Sequence, residues 1–298
     1  MLFSELEADM RQVKLFKLSL GSIALLFGMV TLTAANAESV YQQAVRTGSV
    51  RVAVYNQAPW GVTDEKGEFH GLAVDVVRTA MERLGIKKLE AVSTEFAALI
   101  PGLQARRIDV VSAALAITPE RCQLVAFGDP AAKMADALLV KAGNPKNLHS
   151  YEDVAKNPDA TIGTGRGFTT AADALAAGVP KERQVLYPDN QAAISALIAG
   201  RIDAVSATFG SIVALLDDLK NKGVERAVPF NGKRDAAGNP LFSYVAPAFR
   251  KEDSDFRDAY NVQLKSMQAD GTLLNILQKY GFSASEMPDA IASAVCAR

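Results

Sequence analysis

The sequence predicts an α/β protein of two similar lobes, each with a mainly parallel sheet flanked by helices. Residues 102–113 (GLQARRIDVVSA) and 196–207 (ALIAGRIDAVSA) match at eight of twelve positions, and in each a short amphipathic helix leads into a buried apolar strand. The chain has 298 residues, enough for roughly two domains of about 150 residues. Because open α/β sheets bind ligands at the carboxyl ends of their strands, two such lobes suggest a cleft walled by both.

The composition indicates a packed globular protein. Hydrophobic residues make up 49% of the chain and the formal net charge is −1, which argues against disorder. No basic stretch interleaved with aromatic residues occurs, so we expect no nucleic-acid partner.

The N-terminus has the features of a secretory signal peptide. A basic stretch at residues 11–17 precedes the uncharged apolar run 18–32, and Ala35-Asn36-Ala37 is an A-x-A cleavage signature. The mature chain should therefore begin at Glu38. A membrane anchor is the alternative, but the run is short for a span. Met10 is an alternative start, because acidic residues precede it.

Strands and helices alternate through the mature chain, and the polar segment 143–145 (GNP) marks a passage between lobes. Predicted strands are 50–55, 89–93, 110–115, 137–141, 161–163, 185–187, 204–207 and 242–249. Predicted helices are 72–84, 96–106, one beginning at Pro119, 169–177, 192–199, 210–219 and two within 253–280. The expected domains are residues 1–37 as the signal peptide, 38–141 plus 242–298 as lobe 1, and 142–241 as lobe 2. Two strands crossing between the lobes would form a hinge.

Several segments resemble a known family. They are GLAVD (71–75), AITPER (116–121), the stretch 100–122, the stretch 177–203 and YGFSA (280–284). Together they resemble the polar amino-acid solute-binding proteins of ABC importers, and most closely the ectoine/hydroxyectoine-binding branch. The resemblance covers nearly the whole mature chain and implies a periplasmic-binding-protein type II fold. The usual signature has an acidic residue at the position of Ala73, which this chain lacks.

The resemblance implies a ligand site on the first lobe. Arg121 would grip a ligand carboxylate with its planar fork, which Lys cannot match. Trp60 and Phe96 would hold a cation through their ring faces. A third aromatic residue of the ectoine branch would fall at Ala116, which has no ring. Gln57 stands where that branch would place an acid.

The second lobe should supply the other wall. The turn Thr164–Thr169, which contains Phe168, enters a helix and suits an anion through its free N–H groups, so we expect Thr169 to contact the carboxylate. Thr208 stands where α-amino-acid binders of the family usually carry an Asp that pairs the ammonium. This favours a ligand with a delocalised or shielded positive charge, such as ectoine, unless Glu95 or Asp189 serves instead. Hydroxyectoine, a polar or cationic amino acid and an opine-like zwitterion remain alternatives.

The two cysteines, Cys122 and Cys296, suggest one disulfide in an exported protein, with two unpaired thiols as the alternative. The two histidines have no metal-ligand spacing to a Cys or to each other, and no catalytic group stands out. We therefore expect no metal, no cofactor and no enzyme activity, and a monomer whose partners are a small zwitterion and an ABC permease. The rival function is a cyclohexadienyl-dehydratase-like lyase, with Glu95 as its one candidate acid. A receptor sensor domain is a third, disfavoured class.

Overall fold

A computed structural model of the chain describes residues 38–298, apart from residues 217, 236 and 239. The signal segment predicted over residues 1–37 lies outside these described residues. The strands, in chain order, are β1 (Ser49–Val54), β2 (Val62–Thr63), β3 (Phe69–His70), β4 (Lys88–Ser93), β5 (Val110–Ala116), β6 (Ala126–Phe127), β7 (Ala132–Met134), β8 (Asp136–Lys141), β9 (Ile162–Gly165), β10 (Gln184–Tyr187), β11 (Ala204–Thr208), β12 (Val224–Arg226) and β13 (Ser243–Phe249). The helices are α1 (Val40–Thr47), α2 (Leu72–Arg83), α3 (Leu99–Gln104), α4 (Pro119–Leu124), α5 (Tyr151–Lys156), α6 (Thr169–Ala176), α7 (Asn190–Ile198), α8 (Phe209–Leu216), α9 (Ser254–Ala269), α10 (Thr272–Lys279) and α11 (Ala292–Cys296).

The first lobe is built on a six-stranded sheet. Its strand order is β4-β1-β5-β13-β6, and β7 also pairs with β13. The pairs β1–β4 and β1–β5 are parallel, whereas β13 runs antiparallel to its neighbours. Along β1, Val52 and Val54 pack into one apolar core while Ala53 packs into another. Because successive strand residues point to opposite faces, the sheet is covered on both sides.

The second lobe is built on a five-stranded sheet of order β10-β9-β11-β8-β12. The β9–β10 and β9–β11 pairs are parallel, and β8 is antiparallel to β11 and β12. Along β8, Leu138 and Leu139 enter different apolar cores, so this sheet also has two covered faces. The predicted α/β fold of two sheet-containing lobes is therefore present.

The chain passes between the two sheets at Ala135, between β7 and β8, and again between β12 and β13. One expectation is wrong here. The predicted strand 137–141 was placed in lobe 1, but β8 hydrogen-bonds with β11 and β12 in the second sheet. An apolar run does not reveal which sheet its backbone will pair with, so the sequence placed the passage about seven residues too late. The strand predicted over 242–249 does return to the first sheet, as β13.

Most predicted elements appear with small shifts at their ends, although the helix predicted over 96–106 begins as a 3-10 turn at Phe96–Ala98 before α3. Side chains cap α4 and α7. The Thr118 side chain accepts from the Arg121 N–H at the start of α4, and Asp189 accepts from the Ala192 N–H at the start of α7. In the described part of the chain, no helix has the length and apolar character that a membrane span requires.

Candidate functional site

A cavity of about 50 Å³ lies between the two lobes. The first lobe lines it with residues from the ends of β1 and β5 and from the segments that follow them, and the second lobe with the start of α6 and the end of β11. The lining residues are Tyr55, Gln57, Trp60, Phe96, Ala113, Ala114, Ala116, Arg121, Phe168, Thr169, Thr170, Thr208, Ser243 and Val245. All eight residues that the sequence singled out for ligand contact are in this set. Their role in binding a ligand stays a prediction.

Arg121 is the one charged side chain among these described lining residues. Pro119 starts the short helix α4, and this helix directs the guanidinium back toward the strand that precedes it. Nη1 donates to the Ala116 carbonyl over 2.7 Å, and Nη2 donates to the Gly167 carbonyl of the second lobe over 2.7 Å. Burial lowers the pKa of Arg121 to about 10, so the side chain is positively charged at neutral pH. A buried cation with carbonyl partners alone favours the approach of an anion.

Aromatic rings form the neighbouring wall of the cavity. Phe96 of the first lobe and Phe168 of the second lie edge to face, with ring centroids 4.8 Å apart, and Tyr55 completes the group at 5.4 Å from Phe96. The Arg121 guanidinium lies 5.8 Å from the centroid of the Phe96 ring. Trp60 is 4% exposed. Edge-to-face pairs stabilise beyond their buried area, so these rings favour contact between the lobes.

The glycine-rich turn brings the second lobe to Arg121. Gly167 has a φ of +84°, a left-handed conformation that L side chains rarely adopt, and its carbonyl is the one that Arg121 meets. Helix α6 begins directly afterwards at Thr169, with Phe168 in the N-cap position. Thr169 therefore does not cap the helix with its side chain, and its hydroxyl is not used there. The unpaired N–H groups of the first helical turn lie at the cavity wall, where they suit a carboxylate.

A second polar group lies at the Trp60 end of the cavity. Ser211 is fully buried at the start of α8. Its Oγ accepts from Trp60 Nε1 at 3.0 Å, from Gln57 Nε2 at 2.8 Å and from the Thr208 hydroxyl at 2.9 Å. The Gln57 Oε1 is buried with no hydrogen-bond partner. Gln57, which lines the cavity, therefore has a buried acceptor that the described residues leave without a donor.

Sequence reasoning missed other residues of the site, and three of them have polar side chains that matter for its chemistry. Tyr55 lies at the carboxyl end of the predicted first strand, a position that could have identified it. Burial is the main reason that the pKa of the Tyr55 hydroxyl is raised, so Tyr55 stays neutral and can donate a hydrogen bond. Ser243 lines the cavity from the returning strand, and Ser211 fixes the Trp60 and Gln57 side chains from behind. No local pattern distinguishes these serines, because tertiary contact alone brings them to the site.

The alternative acids proposed for the ligand's positive end do not line the cavity. Glu95 is exposed, and Asp189 caps α7. His70 lies outside the cavity on the β2–β3 hairpin, where its Nε2 is 3.1 Å from the Asp64 carboxylate. Together with Glu68, these two residues form an exposed group whose possible metal-ligand atoms lie within 4.8 Å of one another. The spacing of histidines and cysteines in the sequence did not indicate this group.

The Cys122 and Cys296 sulfur atoms are 1.98 Å apart, joined as a disulfide, and their Cα atoms are 5.8 Å apart. This bond holds α11 against α4, the helix that carries Arg121.

The chain matches the family of bacterial extracellular solute-binding proteins, family 3, over residues 50–283. The chain belongs to this family. It is 37% identical over 284 residues to a probable amino-acid ABC transporter periplasmic-binding protein, y4tE, of Sinorhizobium fredii, covering 94% of this chain and 90% of that protein. It is 28% identical over 265 residues to the lysine/arginine/ornithine-binding periplasmic protein of Escherichia coli K12, covering 89% of this chain and 96% of that protein.

Solved structures share the fold. A crystal structure of EhuB in complex with hydroxyectoine superposes with a TM-score of 0.79 at 37% identity, covering 86% of this chain and 97% of EhuB. An ancestral amino-acid-binding protein, AncCDT-1, described as a precursor of cyclohexadienyl dehydratase, gives a TM-score of 0.70 at 25% identity, covering 81% of this chain and 99% of that one. Membership of the family makes this chain a solute-binding protein of an amino-acid ABC importer with a type II periplasmic-binding fold. The cavity between its lobes is the candidate ligand site.

Proposed function

We propose that this protein captures a small zwitterion between its lobes and delivers it to an ABC permease, with ectoine and hydroxyectoine as the first candidates. One observation carries the proposal. Arg121 is the single charged residue among the described residues that line the cavity, and no carboxylate accompanies it. The ligand therefore has to bring a carboxylate to Arg121, and it finds no side-chain acid for its positive end.

The positive end of the ligand decides between the candidates. A compact α-ammonium buried against a hydroxyl would lose its hydration without adequate compensation. Ectoine is a cyclic amidinium with a carboxylate, so its positive charge is spread over a flat ring. The indole face of Trp60 and the ring of Phe96 suit such a cation, and the Gln57 Oε1 is a buried acceptor for an amidinium N–H.

The relatives support the same range of ligands. EhuB was crystallised with hydroxyectoine, and the Escherichia coli relative is named for lysine, arginine and ornithine. Polar amino acids are therefore the second ligand class. The absence of an acid at Thr208, where α-amino-acid binders usually carry an Asp, ranks them below ectoine for this chain.

Capture would proceed in two steps. The ligand docks on Arg121, Trp60 and Phe96 of the first lobe, and the second lobe then adds Phe168, Thr169 and Thr208. Since a ligand shifts a conformational equilibrium only through its different affinity for the two states, contact with both lobes is what favours closure. The closed form is the one that the permease subunits recognise.

The Sinorhizobium fredii and Escherichia coli relatives are periplasmic proteins by name, which supports a periplasmic location for this protein. The signal peptide would be removed after Ala37, and the mature protein would act as a monomer. In that oxidising compartment the bond between Cys122 and Cys296 is stable.

A lyase on the same scaffold is the rival function, raised by the similarity to the dehydratase precursor AncCDT-1. Such chemistry needs a carboxylic acid in the cleft beside Arg121. The described lining residues include none, which favours binding without turnover. Formation of an aromatic product from prephenate or arogenate would support the lyase instead.

A thermal-shift screen of ectoine, hydroxyectoine and the polar amino acids tests the proposal. A ligand at 100 times its dissociation constant should stabilise the protein by about 2.7 kcal/mol. The expected result is a shift with ectoine or hydroxyectoine and a smaller one with arginine or glutamine. Stabilisation by amino acids alone would reject the ectoine assignment, and no shift with any zwitterion would reject the proposed function.

A further inference from the structure

The first turn of α8 brings the second lobe into contact with the first at the Trp60 end of the cavity. Gly210, in this turn, is buried. A Cβ atom on Gly210 would lie 2.5 Å from Cζ and 2.9 Å from Cε1 of Phe282, and 3.5 Å from Cζ2 of Trp60. Phe282 and Trp60 both belong to the core of the first lobe. The bare Cα of Gly210 is therefore what lets α8 reach these two rings.

The Phe282 ring has little room to move away. The residue is 9% exposed, and its ring centroid lies 5.5 Å from that of Trp60. The Phe282 N–H donates to the Leu277 carbonyl at the end of α10, which fixes the backbone. Trp60 is held in turn by its hydrogen bond to Ser211, the neighbour of Gly210. Because packed cores resist added volume, a side chain at residue 210 would displace the helix rather than the rings.

Gly210 also lies beside the passage between the lobes. The Phe209 N–H donates to the Ala135 carbonyl over 2.9 Å, and Ala135 is the residue between β7 in the first sheet and β8 in the second. A small displacement next to a pivot becomes a larger one at a distance from it. A wedge at Gly210 would therefore separate the lobes at the far end of the cavity, where Arg121 meets Gly167.

We propose that Gly210 determines lobe closure. Because Gly210 has no side chain, the start of α8 packs directly against Phe282. This contact allows the closed arrangement in which the Ser211 hydroxyl accepts from Trp60 and Gln57. One consequence rests on the proposed function: a side chain at residue 210 should weaken solute capture without contacting the solute.

A cysteine pair placed at the other end of the cavity reports closure without a ligand. A Cβ on Gly167 would lie 3.5 Å from the Ala97 Cβ of the first lobe, which is within the range that disulfides span. The substitutions Ala97→Cys and Gly167→Cys, made in the chain that retains the Cys122–Cys296 bond, should therefore cross-link under a mild oxidant when the lobes close. The same pair is present in every chain compared, so any strain at residue 167 affects all of them equally.

We expect the cysteine pair to cross-link when Gly210 is present. With Gly210→Ala the cross-linking rate should be about tenfold lower, which is the factor that the usual cost of overpacking a core produces. The double substitution Gly210→Ala with Phe282→Ala should recover the rate, because the clash is removed. Gly102→Ala is the matched control, since a Cβ there would meet Ile108 at an ordinary 3.6 Å, and it should leave the rate unchanged.

Equal rates with Gly210 and with Gly210→Ala would overturn the proposal, as would a slow Gly210→Ala chain that the Phe282 substitution does not rescue. A cysteine pair that fails to cross-link in the Gly210 chain would also overturn it, because the closed arrangement would then not be reached. None of these outcomes depends on which solute binds. A failed ligand screen would reject the proposed function and leave the cross-linking result intact.

Discussion

The Arg121 guanidinium and the Gly167 carbonyl meet across the two lobes, with Nη2 donating to the carbonyl oxygen over 2.7 Å. The same guanidinium donates through Nη1 to the Ala116 carbonyl of its own lobe. Arg121 thus contacts both lobes at one end of the cavity, where the first turn of α6 presents its N–H groups. A ligand carboxylate placed here would meet a cation from one lobe and a helix N-terminus from the other, which links binding to closure.

Replacing Arg121 by Ala should weaken ligand binding by about 2–5 kcal/mol, because a buried ligand carboxylate would lose its charged partner. Arg121→Lys should recover only part of this loss, since an ammonium cannot match the planar fork. Titration calorimetry with the solute selected by the thermal-shift screen measures both effects. Arg166→Ala is the control, because Arg166 is an exposed cation in the same glycine-rich turn and does not line the cavity. Equal affinities for wild type and Arg121→Ala would contradict the site assignment.

The hydrogen bond from Trp60 to Ser211 should couple the two lobes energetically. Trp60→Phe removes the indole donor and Ser211→Ala removes its acceptor, and each should weaken solute binding by about 1 kcal/mol, the usual net value of one hydrogen bond. The double substitution should weaken binding by less than the sum of the two. A double-mutant cycle measured by calorimetry gives the coupling energy directly. Strict additivity would mean that this bond does not contribute to the bound state.

The cavity shows how far local sequence patterns predict a binding site. The family resemblance identified Arg121 and Trp60, whereas Thr169 could be named because it opens a helix after a strand end, and parallel strands bring such ends to one edge. Tyr55 occupies an equivalent strand end and could have been named by the same rule. Ser211 could not, because it reaches Trp60 only through contact between the lobes.

The fold shows a similar limit. Periodicity predicted α2, whose apolar residues repeat on one face, and a continuous apolar run predicted β5, which is buried on both faces. Neither pattern could place β8 in the second sheet, since both cores accept the same apolar run and backbone pairing decides between them. Short elements such as α5, β6 and β12 have too few residues to show a period, and they depend on their tertiary neighbours.

Loss of the bond between Cys122 and Cys296 should lower the stability of the protein by about 2–5 kcal/mol, because the bond restricts an unfolded loop closed over a sequence separation of 174. The Cys122→Ser/Cys296→Ser variant should show this loss in urea unfolding. Thiol titration of the denatured wild-type protein should detect thiols only after reduction. Free thiols in the purified, unreduced protein, or equal stability with and without reductant, would contradict the prediction.

Asp136, beside the Ala135 passage, should make the stability of the protein depend on pH. Its carboxylate is 5% exposed and accepts from the Tyr151 hydroxyl over 3.0 Å, while Oδ1 has no partner. Burial raises its pKa from the ordinary 3.8 to about 6, Lys233 opposes the rise and Asp173 adds to it. The folded protein therefore holds a proton that the unfolded chain releases between about pH 4 and pH 6, so this group lowers stability as the pH rises through that range.

Asp136→Asn should remove this dependence while its amide oxygen still accepts from Tyr151. Urea unfolding from pH 4 to pH 8 measures the free energy of unfolding of both proteins. Relative to the wild type, that of the variant should rise by on the order of 1–3 kcal/mol up to about pH 6, and the difference should stay constant above that pH. Asp159→Asn, at an exposed carboxylate, should leave a parallel profile. If the Asp136→Asn and wild-type profiles also ran parallel between pH 4 and pH 6, the buried carboxyl would not be taking up the proton.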